Sequence, residues 1–392
     1  MIFFNAIGQV SALGENTAAL RGNLRSGLVP PWEMDDTFLV DHRAVPVGAI
    51  KAPLPAIPPR HREHGSRNNR LALAALEQIR EEVEDAIRRF GAKRIGVIMG
   101  TSTSGISDGE SALAHFQRHG EWPEIFFYRQ QEFGDTSDFL SKFLGVEGVS
   151  YTISTACSSS ARAIISAARL IRAGVIDAAI TGGADSLCRM TLNGFNSLEA
   201  LSMTGCAPFS KNRDGITIGE SAVLFLLSKS PASVALRGIG ESSDGYHMSA
   251  PHPDGIGAEK AIRQALREAN VEPSGIGYLN LHGTGTPLND KMESKAVSRV
   301  FGSETPCSST KHLTGHTLGA CGALELAICC ALLDDASLSL PSQVFTRENP
   351  LDETLAPIGL VTKPNQKLET GLALSNSFAF GGNNVSLCVG RA

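Results

Sequence analysis

The sequence predicts an α/β fold whose sheets are largely buried. Short runs of aliphatic and β-branched residues alternate with longer helical segments along the whole chain, which is typical of this class. Two helical segments consist mostly of Ala, Ser, Gly, Cys, Ile and Leu, so they can be enclosed on most sides. The hydrophobic fraction of 42% and the charged fraction of 19% indicate a globular protein with a large core.

Chain length and net charge limit the number of domains and the class of partner. The 392 residues suffice for two domains or for one doubled fold. The 35 Lys and Arg residues against 40 Asp and Glu give a formal net charge of −5, so nucleic acid is not expected as the main partner. The eight cysteines show no CxxC spacing, which favours reduced thiols and a cytoplasmic protein over a disulfide framework.

The first element is predicted to be a strand, Met1 to Val10. Its apolar run has no Lys or Arg before it and no small-residue cleavage site after it, unlike a secretory signal. We expect no membrane span, because the most apolar stretch, residues 318–333, contains Glu325 and two glycines. Residues 46–59 are rich in proline and are predicted to form a surface loop.

Later elements follow the same alternation. Residues 66–90 carry apolar side chains at helical spacing with Glu and Arg between them, which predicts one half-buried helix. Further strand-like runs are residues 94–99, 178–181, 223–227, 276–281 and 371–375.

The two small-residue helices, residues 158–173 and 317–333, are expected at the centre of the fold. Each follows a strand-like segment through a tight turn. A Pro- and Ser-containing stretch near residue 230 separates them, so we divide the chain into halves 1–232 and 233–392. The similarity of the halves does not by itself establish a duplication.

Cys157 is the candidate nucleophile. It lies in the segment TACSSS, which ends a strand-like run and opens the first small-residue helix. The free N–H groups and dipole of a helix N-terminus favour a thiolate, and they can also bind an oxyanion when the sulfur is acylated. The alternative is an inert packed cysteine, which is the commoner role of a buried thiol.

Two histidines lie in comparable surroundings. His282 ends a strand and begins the Gly- and Thr-rich loop HGTGTPLND, and His316 directly precedes the second small-residue helix. Either one alone is as readily a structural histidine. Their separation of 34 residues does not match the spacing of zinc ligands on one helix, so a metal site is the poorer interpretation.

Together these three residues suit carbon–carbon bond formation on thioesters. A thiolate can accept an acyl group, and neutral imidazoles can donate N–H bonds to the enolate that a malonyl thioester forms when it loses carbon dioxide. The sequence contains no GxSxG elbow, which a serine hydrolase of the α/β type would need. The glycines near residues 100–105 and 182–183 fit neither a P-loop nor a dinucleotide fingerprint.

Four motifs stand out along the chain: TACSSS at Cys157, HGTGTPLND at His282, TKHLTGH at His316 and SNSFAFGGNN at residues 375–384. They resemble those of elongating β-ketoacyl-acyl carrier protein synthases of the thiolase superfamily, and the resemblance covers nearly the whole chain. It implies a five-layer αβαβα fold of two similar halves and a decarboxylative Claisen condensation, in fatty-acid or polyene and polyketide synthesis.

The resemblance also implies individual roles. Cys157 would carry the acyl group, with its own N–H and that of Phe380 forming the oxyanion hole, while His282 and His316 would promote decarboxylation. Lys311 and Glu325 match a supporting ion pair. Thr284 and Thr286 match residues that bind the phosphopantetheine arm, and Thr103 and Phe378 are expected to contact the substrate.

Related enzymes differ at these positions. A thiolase needs a second cysteine in the C-terminal glycine motif, where this chain has Phe380-Gly-Gly, and starter-type synthases have Asn in place of His316. A non-catalytic chain-length factor would lack Cys157. Ala379 stands where the family usually has Gly, so we expect altered opening of this loop and a specialised pathway, the aryl-polyene ketosynthases being the nearest group.

The resemblance implies partners as well. We expect an acyl carrier protein that delivers substrate on phosphopantetheine, no other cofactor or metal, and a homodimer or a heterodimer with a chain-length factor. An acidic carrier protein requires a local basic patch at the cavity mouth. The candidates are Arg60, Arg62, Arg67, Arg70, Lys211 and Arg213.

Overall fold

The computed structural model describes all 392 residues and contains one large mixed sheet, one small sheet and eleven α-helices. The strands are β1 (Ile2–Ser11), β2 (Glu33–Asp35), β3 (Val45–Gly48), β4 (Ile95–Gly100), β5 (Ser150–Ile153), β6 (Ala178–Asp185), β7 (Ile218–Gly219), β8 (Ser221–Ser228), β9 (Val234–Ser243), β10 (Tyr278–Asn280), β11 (Cys307–Ser308), β12 (Leu372–Ala379) and β13 (Asn383–Arg391). The helices are α1 (Thr17–Ser26), α2 (Arg67–Glu77), α3 (Arg80–Phe90), α4 (Ile106–His119), α5 (Asp135–Leu144), α6 (Ser159–Arg172), α7 (Arg189–Ser197), α8 (Ile256–Ala269), α9 (Pro287–Phe301), α10 (Lys311–Thr314) and α11 (Cys321–Asp334).

The large sheet consists of two sets of five strands with one topology. The first set has the order β5-β4-β6-β8-β1 and the second the order β11-β10-β12-β13-β9. In each set two parallel pairs are followed by two antiparallel pairs. The sets meet only where Ile2 and Phe3 of β1 pair with Leu236 and Ala235 of β9. The structure therefore shows two similar halves, which the sequence similarity alone did not establish.

Three hydrophobic cores define five layers. The largest core lies between the two sets of strands and contains α6 and α11. A second core packs α2, α3 and α5 on the outer face of the first set, and a third packs α8 and α9 on the outer face of the second. The predicted αβαβα arrangement, with the small-residue helices at its centre, is confirmed.

Small residues allow α11 to occupy this central layer. Every residue of α11 except Asp334 is buried. A Cβ on Gly322 would lie 2.8 Å from Ser377 Oγ and 3.0 Å from Ala161 Cβ, so only glycine permits this close approach of α11 to β12 and α6.

Two predicted elements differ from the structure. Residues 66–90 form two helices instead of one, since the backbone leaves the helical conformation at Ile79, with a φ of −125° and a ψ of 18°. The side chain of the neighbouring Gln78 binds the backbone of β1 and α1: its Nε2 donates to Gln9 O over 2.7 Å, and its Oε1 accepts from Thr17 N over 3.1 Å. The proline-rich segment is not entirely a surface loop, since its first residues belong to the buried strand β3.

The division at residues 232 and 233 stays a prediction. It falls in the connection between Ser228, the last residue of β8, and Val234, the first residue of β9. No helix has the length and apolarity required to cross a lipid bilayer.

Candidate active site

Cys157 lies in a tight turn between β5 and α6. Ser159 Oγ accepts a hydrogen bond from Thr155 N over 2.8 Å and donates one to Ala156 O over 2.6 Å. Ala156 has a φ of 51°, a left-handed conformation that an L-residue adopts only at an energetic cost. The turn fixes Cys157 directly ahead of the first turn of α6, and only 6% of the residue is exposed.

Burial is the strongest influence on this thiol and raises the pKa of Cys157 to about 11. The Lys311 charge and the backbone N–H groups of Phe380 and Cys157 act in the opposite direction. The expectation that this position favours a thiolate is therefore wrong for the free protein, because desolvation of the thiolate outweighs the groups that lower the pKa.

His282 lies two residues after Asn280, the last residue of β10, and a buried carboxylate binds its backbone. Glu293 on α9 accepts hydrogen bonds from His282 N over 2.8 Å and from Gly283 N over 2.6 Å. The Lys311 ammonium lies 3.4 Å from His282 Nδ1. Because an ammonium only donates, Nδ1 is the acceptor and the ring proton of the neutral imidazole is on Nε2.

His316 is oriented by the turn that leads into α11. Leu318, which has a φ of 51°, donates its backbone N–H to His316 Nδ1 over 3.1 Å. The proton of this neutral imidazole is therefore also on Nε2. Burial first, and the charge of Lys311 second, lower the pKa of both His282 and His316 well below the ordinary histidine value, so both rings are neutral near pH 7.

The structure brings the three side chains together. One side-chain ligand atom each of Cys157, His282 and His316 lies within 4.8 Å of the other two. The imidazole rings are perpendicular, with centroids 5.4 Å apart. The arrangement therefore combines one sulfur nucleophile with two N–H donors at a buried point.

Lys311 and Glu325 form a fully buried ion pair next to this point. The Lys311 ammonium also donates to His282 O over 2.5 Å. Burial alone would lower the pKa of Lys311, but Glu325 raises it above the ordinary value, so the side chain stays charged. Burial raises the pKa of Glu325 to about 7, with Lys311 opposing the rise.

A cavity of about 280 Å³ leads from solvent to these residues. Of the residues expected to contact substrate, Thr284, Thr286, Phe378 and Phe380 line it. Thr103 does not, because it is fully buried and its hydroxyl bonds to Asp185 over 2.8 Å. Its expected effect on chain length stays a prediction.

Ala379 lies at the wall of the cavity beside Cys157. Its φ of −106° and ψ of 157° are ordinary extended values that any residue adopts. The Cβ therefore causes no strain in the loop as it stands here, and the expected effect of Ala379 on loop opening stays a prediction.

Three of the six expected docking residues have partners inside the fold. Arg213 has 7% of its side chain exposed and binds Asp352 over 2.6 Å, while Arg67 forms a two-point ion pair with the buried Glu220. Arg70 donates to two backbone carbonyls. The residues that remain exposed are Arg60, Arg62 and Lys211.

Sequence reasoning missed three buried carboxylates that position the site. Glu293 holds the His282 backbone, and Asp290 accepts from Phe209 N over 2.8 Å and Gly285 N over 3.2 Å. Asp185 joins the two halves by accepting from Thr103 N over 2.7 Å and Ala320 N over 2.9 Å. The spacing of Asp290 and Glu293, three apart on the apolar face of one helix, was the available signal.

Two profiles of one protein family together match most of the chain. The family profile described as "Beta-ketoacyl synthase, N-terminal domain" matches residues 39–232, and the profile "Beta-ketoacyl synthase, C-terminal domain" matches residues 234–342. The 3-oxoacyl-[acyl-carrier-protein] synthase 2 of Staphylococcus aureus is 32% identical over 349 residues, which cover 83% of this chain and 85% of that protein.

Two solved structures are similar to this chain over its whole length. A chain of the ketosynthase ApeO in complex with its chain length factor ApeC, from Xenorhabdus doucetiae, is 53% identical with a TM-score of 0.96, covering 100% of this chain and 98% of that one. A β-ketoacyl synthase from Burkholderia phymatum STM815 is 26% identical with a TM-score of 0.85, covering 100% of this chain and 99% of that one.

Proposed function

Because the chain belongs to the β-ketoacyl synthase family, we propose that Cys157, His282 and His316 are the reacting residues of a condensation between a carrier-bound malonyl group and an acyl chain. The enzyme is an acyltransferase of the 3-oxoacyl-[acyl-carrier-protein] synthase type. The observation that carries the assignment is the cluster of one thiol and two neutral imidazoles, with one side-chain ligand atom of each within 4.8 Å of the others, at a cavity open to solvent.

In the first half-reaction an acyl group moves from the carrier thiol to Cys157. The sulfur attacks the thioester carbonyl, the carbon–sulfur bond to the carrier breaks, and the thiol proton of Cys157 passes to the departing carrier thiol. The N–H groups of Phe380 and Cys157, which lower the pKa of the thiol in the free protein, are proposed to stabilise the oxyanion.

In the second half-reaction malonyl thioester loses carbon dioxide, and the electrons of the broken bond form an enolate. The Nε2–H groups of His282 and His316 donate to the enolate oxygen, on which negative charge develops at this step. The enolate carbon attacks the acyl carbonyl on Cys157, a carbon–carbon bond forms, and the sulfur leaves as a thiolate that takes a proton from solvent water. Lys311 and Glu325 support this arrangement by fixing the tautomer of His282.

The substrates arrive on the phosphopantetheine arm of an acyl carrier protein, and Thr284 and Thr286 at the cavity wall are proposed to bind that arm. The two half-reactions described above use only side chains and backbone N–H groups of the enzyme, and we propose that no cofactor takes part. We also propose a cytoplasmic location, in keeping with eight cysteines that are all unpaired in the structure.

A second ketosynthase-like chain is proposed to pair with the edge of the large sheet. β5 has only β4 as a neighbour, and its backbone edge is open. α5 packs on β5 and on residues 128–131, and this region exposes large apolar side chains. They are Phe116, Trp122, Ile125, Tyr128 and Phe133.

The pathway is proposed to be synthesis of a polyene, as the aryl-polyene ketosynthases carry out. The support is the 53% identity to a chain of the ApeO and ApeC complex, well above the 32% to the fatty-acid-type relative. The role of a silent chain-length factor is less well supported, because this chain has Cys157 and both histidines in one cluster.

The assignment is tested by mass spectrometry with acyl carrier protein thioesters. We expect one acyl mass on the peptide that contains Cys157, followed by release of carbon dioxide and a β-ketoacyl product when malonyl carrier protein is added. Cys157→Ala should abolish both steps, whereas Cys188→Ala, a buried cysteine away from the cavity, should retain them. Condensation that survives Cys157→Ala in the assembled complex would identify a non-catalytic subunit. A panel of saturated, unsaturated and aryl primers would then establish the pathway.

A further inference from the structure

Glu199 occupies a backbone position that favours glycine. It follows the C-terminus of α7, where Glu199 N donates to Asn196 O and Ala200 N donates to Phe195 O, both over 3.0 Å. The φ of Glu199 is 52°, in the left-handed region. Helices commonly end with glycine at this place, because a Cβ is disfavoured there. Nothing in the backbone therefore explains a glutamate.

Glu199 is an exposed residue that lines the cavity, and its carboxylate takes part in none of the ion pairs of the structure. Asp244 is the other acidic residue at the cavity, and its oxygens are occupied. They accept from His252 N over 3.0 Å and from Asn384 Nδ2 over 2.8 Å. Glu199 is thus the acidic group at the cavity mouth that is free to accept a hydrogen bond from a ligand.

Glu199 lies near the loop that contains Thr284 and Thr286. Ala200 accepts from Ile216 N over 2.8 Å, and Gly215 N in turn donates to Gly285 O over 3.1 Å. This chain of backbone contacts brings the C-terminus of α7 and the threonine loop to one part of the cavity.

The two sides of the mouth offer complementary groups. The hydroxyls of Thr284 and Thr286 share a hydrogen bond of 3.0 Å, which uses one of their two protons and leaves the other for a ligand acceptor. A carboxylate only accepts. No lysine or arginine lines the cavity to compete for Glu199. An incoming group with both a donor and an acceptor, such as an amide, fits between them.

We propose that Glu199 is a specificity-determining residue, which selects carrier-bound substrate by accepting a hydrogen bond from a donor group on the phosphopantetheine arm or on the carrier surface around it. This inference rests on the proposed function, since it takes the cavity as the route of the arm. A contact between substrate and this carboxylate would account for a glutamate at a position where the backbone favours glycine.

The experiment compares wild type with Glu199→Gly and Glu199→Gln in the acylation of Cys157. Three donors carry one acyl group: holo-carrier protein, free pantetheine, and ethanethiol, which has no amide. The matched control is Asn365→Gly, which relaxes another exposed residue of positive φ, 64°, outside the cavity. Glu199→Gly is expected to melt no lower than wild type, so a loss of activity cannot be attributed to unfolding.

We expect KM for the acyl-carrier protein to rise about tenfold in Glu199→Gly, the size of one charge-assisted hydrogen bond, with Glu199→Gln intermediate. The ethanethiol thioester and Asn365→Gly should show no change. An equal rise with pantetheine places the donor on the arm, and a rise with the carrier protein alone places it on the carrier. An unchanged KM for both, or an equal change for all three donors, overturns the proposal. Failure of the proposed function is distinct, because wild type itself would then not be acylated.

Discussion

Leu318 donates its backbone N–H to Nδ1 of His316 over 3.1 Å, and it does so from a left-handed conformation with a φ of 51°. The contact fixes the tautomer of the imidazole, since an acceptor at Nδ1 requires the proton to be on Nε2. A strained backbone residue thus determines which nitrogen of the histidine donates into the cavity, which is a common use of strain at functional sites.

His316→Ala is expected to remove one of two enolate donors while leaving the nucleophile in place. Condensation should fall about a hundred- to thousandfold, whereas acylation of Cys157 by an acyl-carrier thioester should persist. Carbon dioxide release and intact-protein mass measure the two steps separately. His312→Gln, a change at a buried histidine that does not line the cavity, should keep condensation near the wild-type rate. Equal loss of both steps in His316→Ala would contradict a role confined to the malonyl half-reaction.

The raised pKa of Cys157, about 11, predicts slow and strongly pH-dependent alkylation. A raised thiol pKa means less thiolate at a given pH, on the order of 0.1% at pH 8. The rate of labelling by iodoacetamide should therefore rise about tenfold per pH unit between pH 7 and 10. Cys157 is the cysteine that lines the cavity, so the labelled peptide can be assigned by mass. A plateau below pH 9 would show that the thiolate is stabilised more than burial allows.

Lys311 and Glu325 are expected to be strongly coupled, because both are buried and form an ion pair. Lys311→Met alone should destabilise the protein by about 3–5 kcal/mol, since it leaves an uncompensated carboxylate in the core. The double variant Lys311→Met, Glu325→Leu should lose much less than the sum of the single changes. Urea unfolding of wild type, both single variants and the double variant gives the coupling free energy between the two residues. Additive effects would argue against a coupled pair.

Gly322 is expected to tolerate no side chain. Gly322→Ala should destabilise the protein by about 1–3 kcal/mol, because the new Cβ would meet Ser377 Oγ and Ala161 Cβ in the central layer. Gly22→Ala is the matched change, in helix α1, where a Cβ meets no atom within 4 Å. It should stabilise the protein by up to about 1 kcal/mol through helix propensity. Thermal unfolding measures both, and a neutral Gly322→Ala would refute the close packing of α11.

Ala379→Gly is expected to change the rate of acylation by a few-fold while leaving the melting temperature nearly unchanged. The extended backbone of Ala379 imposes no strain here, so any effect must arise when the loop moves, because glycine has more accessible backbone angles. Stopped-flow acylation with primers of different length measures it. Unchanged rates and an unchanged chain preference would remove Ala379 from the control of loop opening.

Much of this protein could be predicted from the sequence. The positions of β1, α6 and α11 followed from local composition and periodicity, because strands and buried helices have patterns that neighbouring residues display on their own. The three residues proposed to react were identifiable from their motifs, since each combines a chemically active side chain with turn residues at the end of a strand or helix.

The tertiary structure decided what depends on groups distant along the chain. The break between α2 and α3 falls at Ile79, next to Gln78, whose side chain binds Gln9 and Thr17 through contacts that no local pattern contains. The pKa of Cys157 rises because residues from both halves exclude water, and this reverses the expectation from the helix N-terminus alone. Glu293, Asp185 and the free carboxylate of Glu199 acquire their roles in the same way. A residue's type is local, but its solvation and its hydrogen-bond partners are set by the fold.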